Sequence, residues 1–176
     1  LFIIFFPQLI AGPIVQYDKM MPQFSENKKI DTLKKYILIG LVIFLIGMFK
    51  KVFIGDNLSI LVEPIFNSNN SLNPLDAWIG SIAFTMQIYF DFSGYIDMAT
   101  GIALLFGINL PVNFDSPYKS RSIIEFWQRW HITLSNFLMN FVYFPMLRAL
   151  KKITFFKSMF LILVTFLIAG LWHGPS

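Results

Sequence analysis

Long apolar runs with few charges constrain the fold of this chain more than any other feature of its sequence. Tyr36 to Phe49 is an unbroken apolar run of fourteen residues, and Ile153 to Trp172 and Ala77 to Leu110 are mainly apolar. A helix that crosses a bilayer needs about 20 such residues. The two longer runs reach this length, and Val52 to Ile54 extend the first run towards it. These runs therefore predict membrane helices.

Composition supports the same class of protein. The 176 residues are 56% hydrophobic and only 14% charged, whereas a soluble domain is about a quarter charged. We predict an all-α, multi-span helical membrane protein, because so much apolar surface requires lipid as part of its solvent. The chain begins inside one apolar run and ends just past another. We expect residues 1–176 to be a single membrane domain that lacks the N- and C-terminal spans of a longer protein.

The net charge of +4 does not indicate a nucleic-acid-binding protein. The lysines and arginines cluster beside the apolar runs, where cations flank membrane spans, and no soluble basic face accompanies them. The positive-inside tendency predicts that residues 16–35 and 148–157 lie in the cytoplasm. Cysteine is absent, which excludes disulfides, thiolate nucleophiles and cysteine-ligated metals.

Polar clusters, proline and glycine predict where the spans end. Residues 1–11 are expected to close one span, and residues 16–35 and Asp56 to Asp76 are expected to form loops. One helix over Ala77 to Leu110 would be about 50 Å long at roughly 1.5 Å per residue, which exceeds one bilayer. We therefore predict a broken span near Gly94.

Residues 122–143 form the most strongly amphipathic segment, and we predict an amphipathic or re-entrant helix there. Ser122 with Glu125 three residues later is a capping-box pattern that marks a helix start. Glu125 and Arg129 have the spacing of an i,i+4 ion pair. His131 lies at the boundary between the apolar and polar faces of this helix. Its ring can therefore be partly desolvated and still reach a polar cavity.

Two histidines each follow a tryptophan, as Trp130-His131 and Trp172-His173. We expect both rings to have similar apolar surroundings, which favour the neutral imidazole that a general base requires. A histidine that is simply satisfied in the core is the alternative. A metal site formed with two aspartates is disfavoured, because no His-x-x-x-His or Glu-x-x-His spacing is present.

Asp91 and Asp97 are ionisable groups in an otherwise apolar segment. Their spacing of six puts them on different faces of an unbroken helix, so they are not expected to act as a paired acid and base. Either each aspartate binds a backbone group or a cation such as Arg121 or Arg129, or one of them orients a histidine. Charged groups at bilayer depth also mark substrate and proton paths. A transporter or channel subunit that uses Asp91 and Asp97 therefore stays open as an alternative.

Four segments, in this order, resemble the membrane-bound O-acyltransferase family, and within it the bacterial alginate O-acetyltransferases and related polysaccharide or wall acetylases. The resemblance covers nearly the whole chain. The segments are PQLIAGPIVQY at 7–17, YFDFSGYIDMATGIALLFGINLPVNFDSPY at 89–118, SIIEFWQRWHITLS at 122–135 and LWHG at 171–174.

The resemblance implies a multi-pass enzyme of the bacterial inner membrane. It implies that His173 is catalytic and that His131 is the second signature histidine. Members of this family handle an acyl group delivered as a thioester, such as acetyl-CoA, and pass it across the membrane, often to a periplasmic or extracellular partner protein that modifies an exported polymer. We expect His173 to act as the base, and His131 to hydrogen-bond the acyl donor or the developing charge. The residues expected to support them are Trp172, Trp130, Arg129, Asp97, Asp91 and Ser135.

The chain departs from the family pattern at two places. Met139-Asn140 stands where the family commonly has Arg-Asp, and the segment Pro145 to Arg148 replaces Pro-Leu-Gly-Gly. These departures concern the acceptor or the partner more than the acyl chemistry. Transfer of D-alanyl groups to teichoic acid by the same fold is an alternative. A non-catalytic membrane scaffold would leave both Trp-His pairs unexplained.

Overall fold

The computed structural model describes residues 2–9, 11–26, 29–68 and 73–174. The regular elements in these ranges are all helical, which confirms the all-α prediction. Two helical segments, Ile30–Phe66 and Phe155–His173, are long and apolar enough to cross a membrane. The chain divides into two compact units, Leu1–Pro111 and Val112–Ser176. The number of spans, and a single membrane domain over residues 1–176, stay predictions.

The first unit is built from helices joined by short connections. Two 3₁₀ turns, Phe2–Ile4 and Phe6–Gln8, precede the first α-helix. A π-helical segment, Phe49–Gly55, joins the second and third α-helices without a loop. The α-helices of this unit are α1 (Tyr17–Ser25), α2 (Ile30–Met48), α3 (Asp56–Phe66) and α4 (Pro74–Leu105).

Three predicted boundaries in this unit are wrong. Residues 1–11 contain 3₁₀ turns where the end of a span was expected. Residues 16–35, predicted as a loop, contain α1 and the start of α2. The helix α1 has an apolar side that buries Met20. The predicted loop over Asp56 to Asp76 contains α3, which accommodates Pro64 in its last turn.

The predicted break in α4 is also wrong, because the helix is continuous from Pro74 to Leu105. A Cβ atom on Gly94 would lie 2.7 Å from the carbonyl oxygen of Gly47, and one on Gly101 would lie 2.6 Å from that of Gly40. These four glycines therefore let the backbones of α2 and α4 approach closely, which is the usual role of small residues between membrane helices. Gly94 serves helix packing and not a break.

The second unit begins with an irregular connector and continues into short helices. Pro117–Lys119 forms a 3₁₀ turn, and Met139–Tyr143 forms a π-helical segment. The apolar run at residues 153–172, predicted as a span, forms one helix that Thr154 caps at its start. The α-helices of this unit are α5 (Ile123–Arg129), α6 (Ile132–Leu138), α7 (Phe144–Arg148) and α8 (Phe155–His173).

The single helix predicted over residues 122–143 is wrong, because the segment is interrupted between α5 and α6. His131 has φ 43° and ψ 53°, which is left-handed backbone that cannot continue an α-helix. Trp130 is extended and ends α5. The predicted start is confirmed, since Ser122 Oγ accepts a hydrogen bond from the Glu125 backbone N–H at 3.1 Å.

Candidate active site

His131 lies at the N-terminus of α6 with a buried side chain. Its residue surface is 8% exposed. Left-handed backbone costs a non-glycine residue roughly 1–2 kcal/mol, so local contacts must hold this conformation in place. The break between α5 and α6 therefore sets the direction in which the imidazole points.

Asn113 supplies contacts that hold this turn. Its backbone oxygen accepts a hydrogen bond from the Ile132 N–H at 2.9 Å. Its side-chain Oδ1 lies 3.1 Å from His131 Nδ1. The same oxygen accepts hydrogen bonds from the Thr133 N–H at 3.1 Å and the Thr133 hydroxyl at 2.9 Å. The connector before α5 is thus fastened to the start of α6 around the histidine.

Arg129 fastens the end of α5 to the same connector. Its Nη2 lies 2.8 Å from Glu125 Oε1, which confirms the predicted i,i+4 ion pair. Its Nη1 donates a hydrogen bond to the Asp115 backbone oxygen at 3.2 Å, and the Asp115 N–H donates to the Arg129 oxygen at 3.0 Å. The N–H of Arg121, and more weakly the Arg129 guanidinium, hold the pKa of Glu125 below its ordinary value.

Aromatic rings pack against the residue before His131. Trp130 stacks on Phe126 with ring centroids 5.7 Å apart, and it meets Phe114 edge-on at 5.0 Å. The Phe114 ring also faces the His131 ring, with centroids 6.4 Å apart and an angle of 29° between the ring planes. This cluster gives His131 the apolar surroundings that the sequence predicted.

His173 differs from His131 in its exposure. It is the last residue of α8 and is exposed, as is Trp172, whose ring meets the His173 ring edge-on at 4.8 Å. The two histidines therefore differ in how far the described residues bury them, and the expectation of similar apolar surroundings stays a prediction for His173. Burial lowers the pKa of His131 to about 4, and the charge of His173 adds a smaller lowering. His131 is therefore neutral near pH 7.

Asp91 and Asp97 belong to the first unit, where each is paired with a lysine. Lys51 Nζ lies 2.5 Å from Asp91 Oδ1 and 2.6 Å from Asp56 Oδ1, and Lys50 Nζ lies 2.6 Å from Asp97 Oδ2. The prediction that each aspartate binds a cation is confirmed, but the expected arginines are wrong. Both lysines belong to the π-helical segment, and each pairs with an aspartate of α4.

Ser135 lies close to the turn at His131. Ser135, expected to support the site, donates a hydrogen bond through Oγ to the Trp130 backbone oxygen at 3.4 Å, and it therefore stabilises the turn at His131. Among the described residues, no group of three or more histidine, aspartate or glutamate side chains is arranged to hold a metal ion.

Asn113 and Thr133 are the members of this site that sequence reasoning missed. Asn113 is 1% exposed and Thr133 is 7% exposed. The available signal was a polar amide between Val112 and Phe114, within the motif at residues 89–118. Its partner lies eighteen residues further along the chain, so no local pattern links the two.

Comparison with known proteins gives a match over the whole chain. The model of a family described as the membrane-bound O-acyltransferase family matches residues 1–176. A peptidoglycan O-acetyltransferase of Helicobacter pylori is 49% identical over 177 residues, which cover 100% of this chain and 33% of that protein. The probable alginate O-acetylase AlgI of Pseudomonas aeruginosa is 43% identical, with 99% of this chain and 32% of that protein covered.

A more distant relative is named for the transfer of a different acyl group. A teichoic acid D-alanyltransferase of Bacillus subtilis is 30% identical over 184 residues, which cover 98% of this chain and 45% of that protein. The chain spans about a third of the length of the O-acetyltransferase relatives.

Proposed function

Because this chain belongs to the membrane-bound O-acyltransferase family, we propose that the protein transfers an acyl group, most simply acetyl, to hydroxyls of an exported polysaccharide or cell-wall polymer. The observation that carries this proposal is 43–49% identity, over essentially the whole chain, to proteins named as O-acetylating enzymes of alginate and peptidoglycan. The donor in this proposal is a thioester, either acetyl-CoA or another acyl thioester.

His173 acts as the general base in the proposed reaction. It takes the proton of the acceptor hydroxyl while the oxygen attacks the acyl carbon and a C–O bond forms. The C–S bond of the thioester then breaks, and the proton passes from His173 to the departing sulfur to give the free thiol. The products are an ester and a thiol, and His173 returns to its neutral state. A positioned base of this kind contributes about 100- to 10,000-fold in rate.

His131 is the second histidine of the proposed site, where it hydrogen-bonds the acyl donor or the charge that develops on it. Its burial supports this role. Trp130, Trp172 and Arg129 shape the surroundings of the two rings in this proposal. Asp91 and Asp97 are paired with lysines of the first unit, which favours a role in helix packing for them.

We place the protein in the bacterial cytoplasmic membrane as a multi-pass protein. Its apolar helices and its bacterial relatives support this location. The acyl group reaches the exported polymer directly or through a periplasmic or extracellular partner protein. Residues 16–35 and 148–157 are expected on the cytoplasmic side, and this orientation is a prediction.

D-alanyl transfer to teichoic acid is the second candidate function, and the 30% identical D-alanyltransferase supports it. The higher identity to the O-acetylating relatives favours acetyl transfer. A transporter or channel subunit that uses Asp91 and Asp97 is less well supported, because both carboxylates have lysine partners within the unit.

The chemical identity of the ester tests the proposed function. The gene is deleted, cell-surface polymers are treated with mild alkali, and the released acids are identified by mass spectrometry. We expect the deletion strain to lose polymer-bound acetate and the wild-type gene to restore it. Loss of D-alanine would select the second candidate, and an unchanged ester content would contradict both.

A further inference from the structure

Asn113 offers a single buried oxygen to three hydrogen-bonding groups. Its Oδ1 faces the His131 Nδ1, the Thr133 backbone nitrogen and the Thr133 hydroxyl, at 3.1, 3.1 and 2.9 Å. The backbone N–H of Thr133 can only donate, so the amide atom that faces it must be the oxygen. A main-chain group therefore fixes which way the Asn113 amide points.

The Asn113 amide nitrogen shows what this orientation costs. Nδ2 is buried and has no hydrogen-bond partner among the described residues. A buried donor without a partner is unfavourable, so this arrangement needs a compensating reason. Turning the amide round would put Nδ2 against the Thr133 N–H and leave donors facing one another. The present orientation is retained because the turn at His131 needs an acceptor.

The orientation of Asn113 determines the protonation of the His131 ring. An amide oxygen only accepts hydrogen bonds, so His131 Nδ1 carries the hydrogen. A neutral imidazole has one N–H, and its Nε2 therefore carries a lone pair. Burial lowers the pKa of His131 to about 4, so the neutral ring is the relevant form near pH 7. The left-handed backbone at this residue keeps Nδ1 directed towards Asn113.

We propose that Asn113 is a positioning residue that holds His131 as the Nδ1–H tautomer, so that His131 presents an accepting nitrogen to an N–H or O–H group of the substrate. This inference rests on the proposed acyltransferase function. It decides between the two roles considered for His131, which are a hydrogen bond to the acyl donor and a hydrogen bond to the developing charge. Nε2 accepts a hydrogen bond from the acyl donor or from the acceptor hydroxyl. It has no proton to give to a developing oxyanion, whose stabilisation then comes from other donors.

The tautomer can be measured without substrate. The full-length protein is labelled with ¹⁵N at histidine and studied in bilayers by NMR, which distinguishes protonated from unprotonated imidazole nitrogens. The signals of His131 are assigned by their loss in His131→Asn. We expect a protonated Nδ1 and an unprotonated Nε2 in the wild type. A protonated Nε2 with an unprotonated Nδ1 would overturn the inference.

Two substitutions of Asn113 connect the tautomer with the reaction. Asn113→Ala removes the acceptor, so it should produce the Nε2–H tautomer. It should also reduce acyl transfer by about 10- to 100-fold, the range seen when a metal-ligating histidine loses the partner that orients it. Asn113→Asp keeps an accepting oxygen. At alkaline pH, where the ring stays neutral, it should retain the Nδ1–H tautomer and restore part of the transfer rate. An unchanged tautomer and rate in Asn113→Ala would contradict the inference.

Matched controls separate positioning from a general loss of structure. Thr133→Val removes one donor to the same oxygen but leaves the His131 hydrogen bond, so it should keep the Nδ1–H tautomer. Asn136→Ala changes an exposed asparagine of α6 and should alter neither tautomer nor rate. If Asn113→Ala does not fold, the wild-type and Asn113→Asp tautomers decide the question. A wild-type protein with the Nδ1–H tautomer but no acyl transfer would support the assignment of Asn113 and contradict the proposed function.

Discussion

His131 combines burial, left-handed backbone and a hydrogen bond to Asn113 in one residue. Burial in apolar surroundings disfavours the charged ring, and the nearby charge of His173 disfavours it further. The pKa of His131 is lowered to about 4 as a result. His131 therefore acts as a neutral hydrogen-bonding group and not as a cation in the proposed mechanism.

The lowered pKa of His131 predicts how stability depends on pH. Between pH 6.5, the ordinary value, and about pH 4, the unfolded chain binds a proton that the folded chain does not. The contribution of His131 to the free energy of unfolding is therefore complete above this window. It is lost as the pH falls through the window, by about 3 kcal/mol in total. We expect the melting temperature of the full-length protein in detergent to fall more steeply with acidification in the wild type than in His131→Asn.

Asparagine is the replacement of choice at position 131 because it tolerates left-handed backbone. Asn136→Ala is the control, since its exposed side chain should leave the pH dependence unchanged. Equal acid sensitivity of the wild type and His131→Asn would show that His131 is not kept neutral by burial.

The contact between α2 and α4 depends on pairs of glycines that face each other across the two helices. Gly40 faces Gly101 and Gly47 faces Gly94, and an added Cβ at any of these positions would lie 2.6 or 2.7 Å from a backbone oxygen. Distances this short cannot be relieved by a side-chain rotation, because the neighbouring atom is main chain. The close approach also lets Lys50 reach Asp97, which offsets the cost of both charges in an apolar setting.

Gly94→Ala tests this contact. The added methyl group should separate α2 from α4 and cost about 1–3 kcal/mol, the usual effect of overpacking a core. Gly170→Ala is the matched control, because a Cβ at Gly170 meets nothing within 4 Å. Alanine also favours a helix over glycine by about 1 kcal/mol, so the control should be neutral or stabilising. Thermal unfolding of both variants of the full-length protein measures the difference, and equal melting temperatures would disprove the close contact.

Structural features could be predicted from the sequence where residues a few positions apart determine them. The Ser122 cap and the Glu125–Arg129 pair are confirmed because three- and four-residue spacings determine them. The break at His131 could not be predicted, since it depends on Asn113 eighteen residues earlier. The packing role of Gly94 could not be predicted for a similar reason, because the backbone that it contacts belongs to another helix.

At the scale of the whole molecule, the family match covers both compact units. The four ordered motifs predicted this family from the sequence, and the match over residues 1–176 confirms it. The roles of His173 and His131 remain predictions, because residue type and spacing identify candidate groups but not the substrate that they contact. The proposed division of roles assigns proton transfer to His173 and hydrogen-bond acceptance to His131.

Acyl transfer that depends on His173 is the central claim, and turnover of labelled acetyl-CoA by membranes that contain the full-length protein tests it most directly. Wild-type membranes should release free CoA and transfer the label to a hydroxyl acceptor. His173→Ala should reduce this turnover by about 100- to 10,000-fold without loss of expression or membrane insertion, because it removes the base. Near-wild-type turnover in a correctly inserted His173→Ala protein would contradict the account.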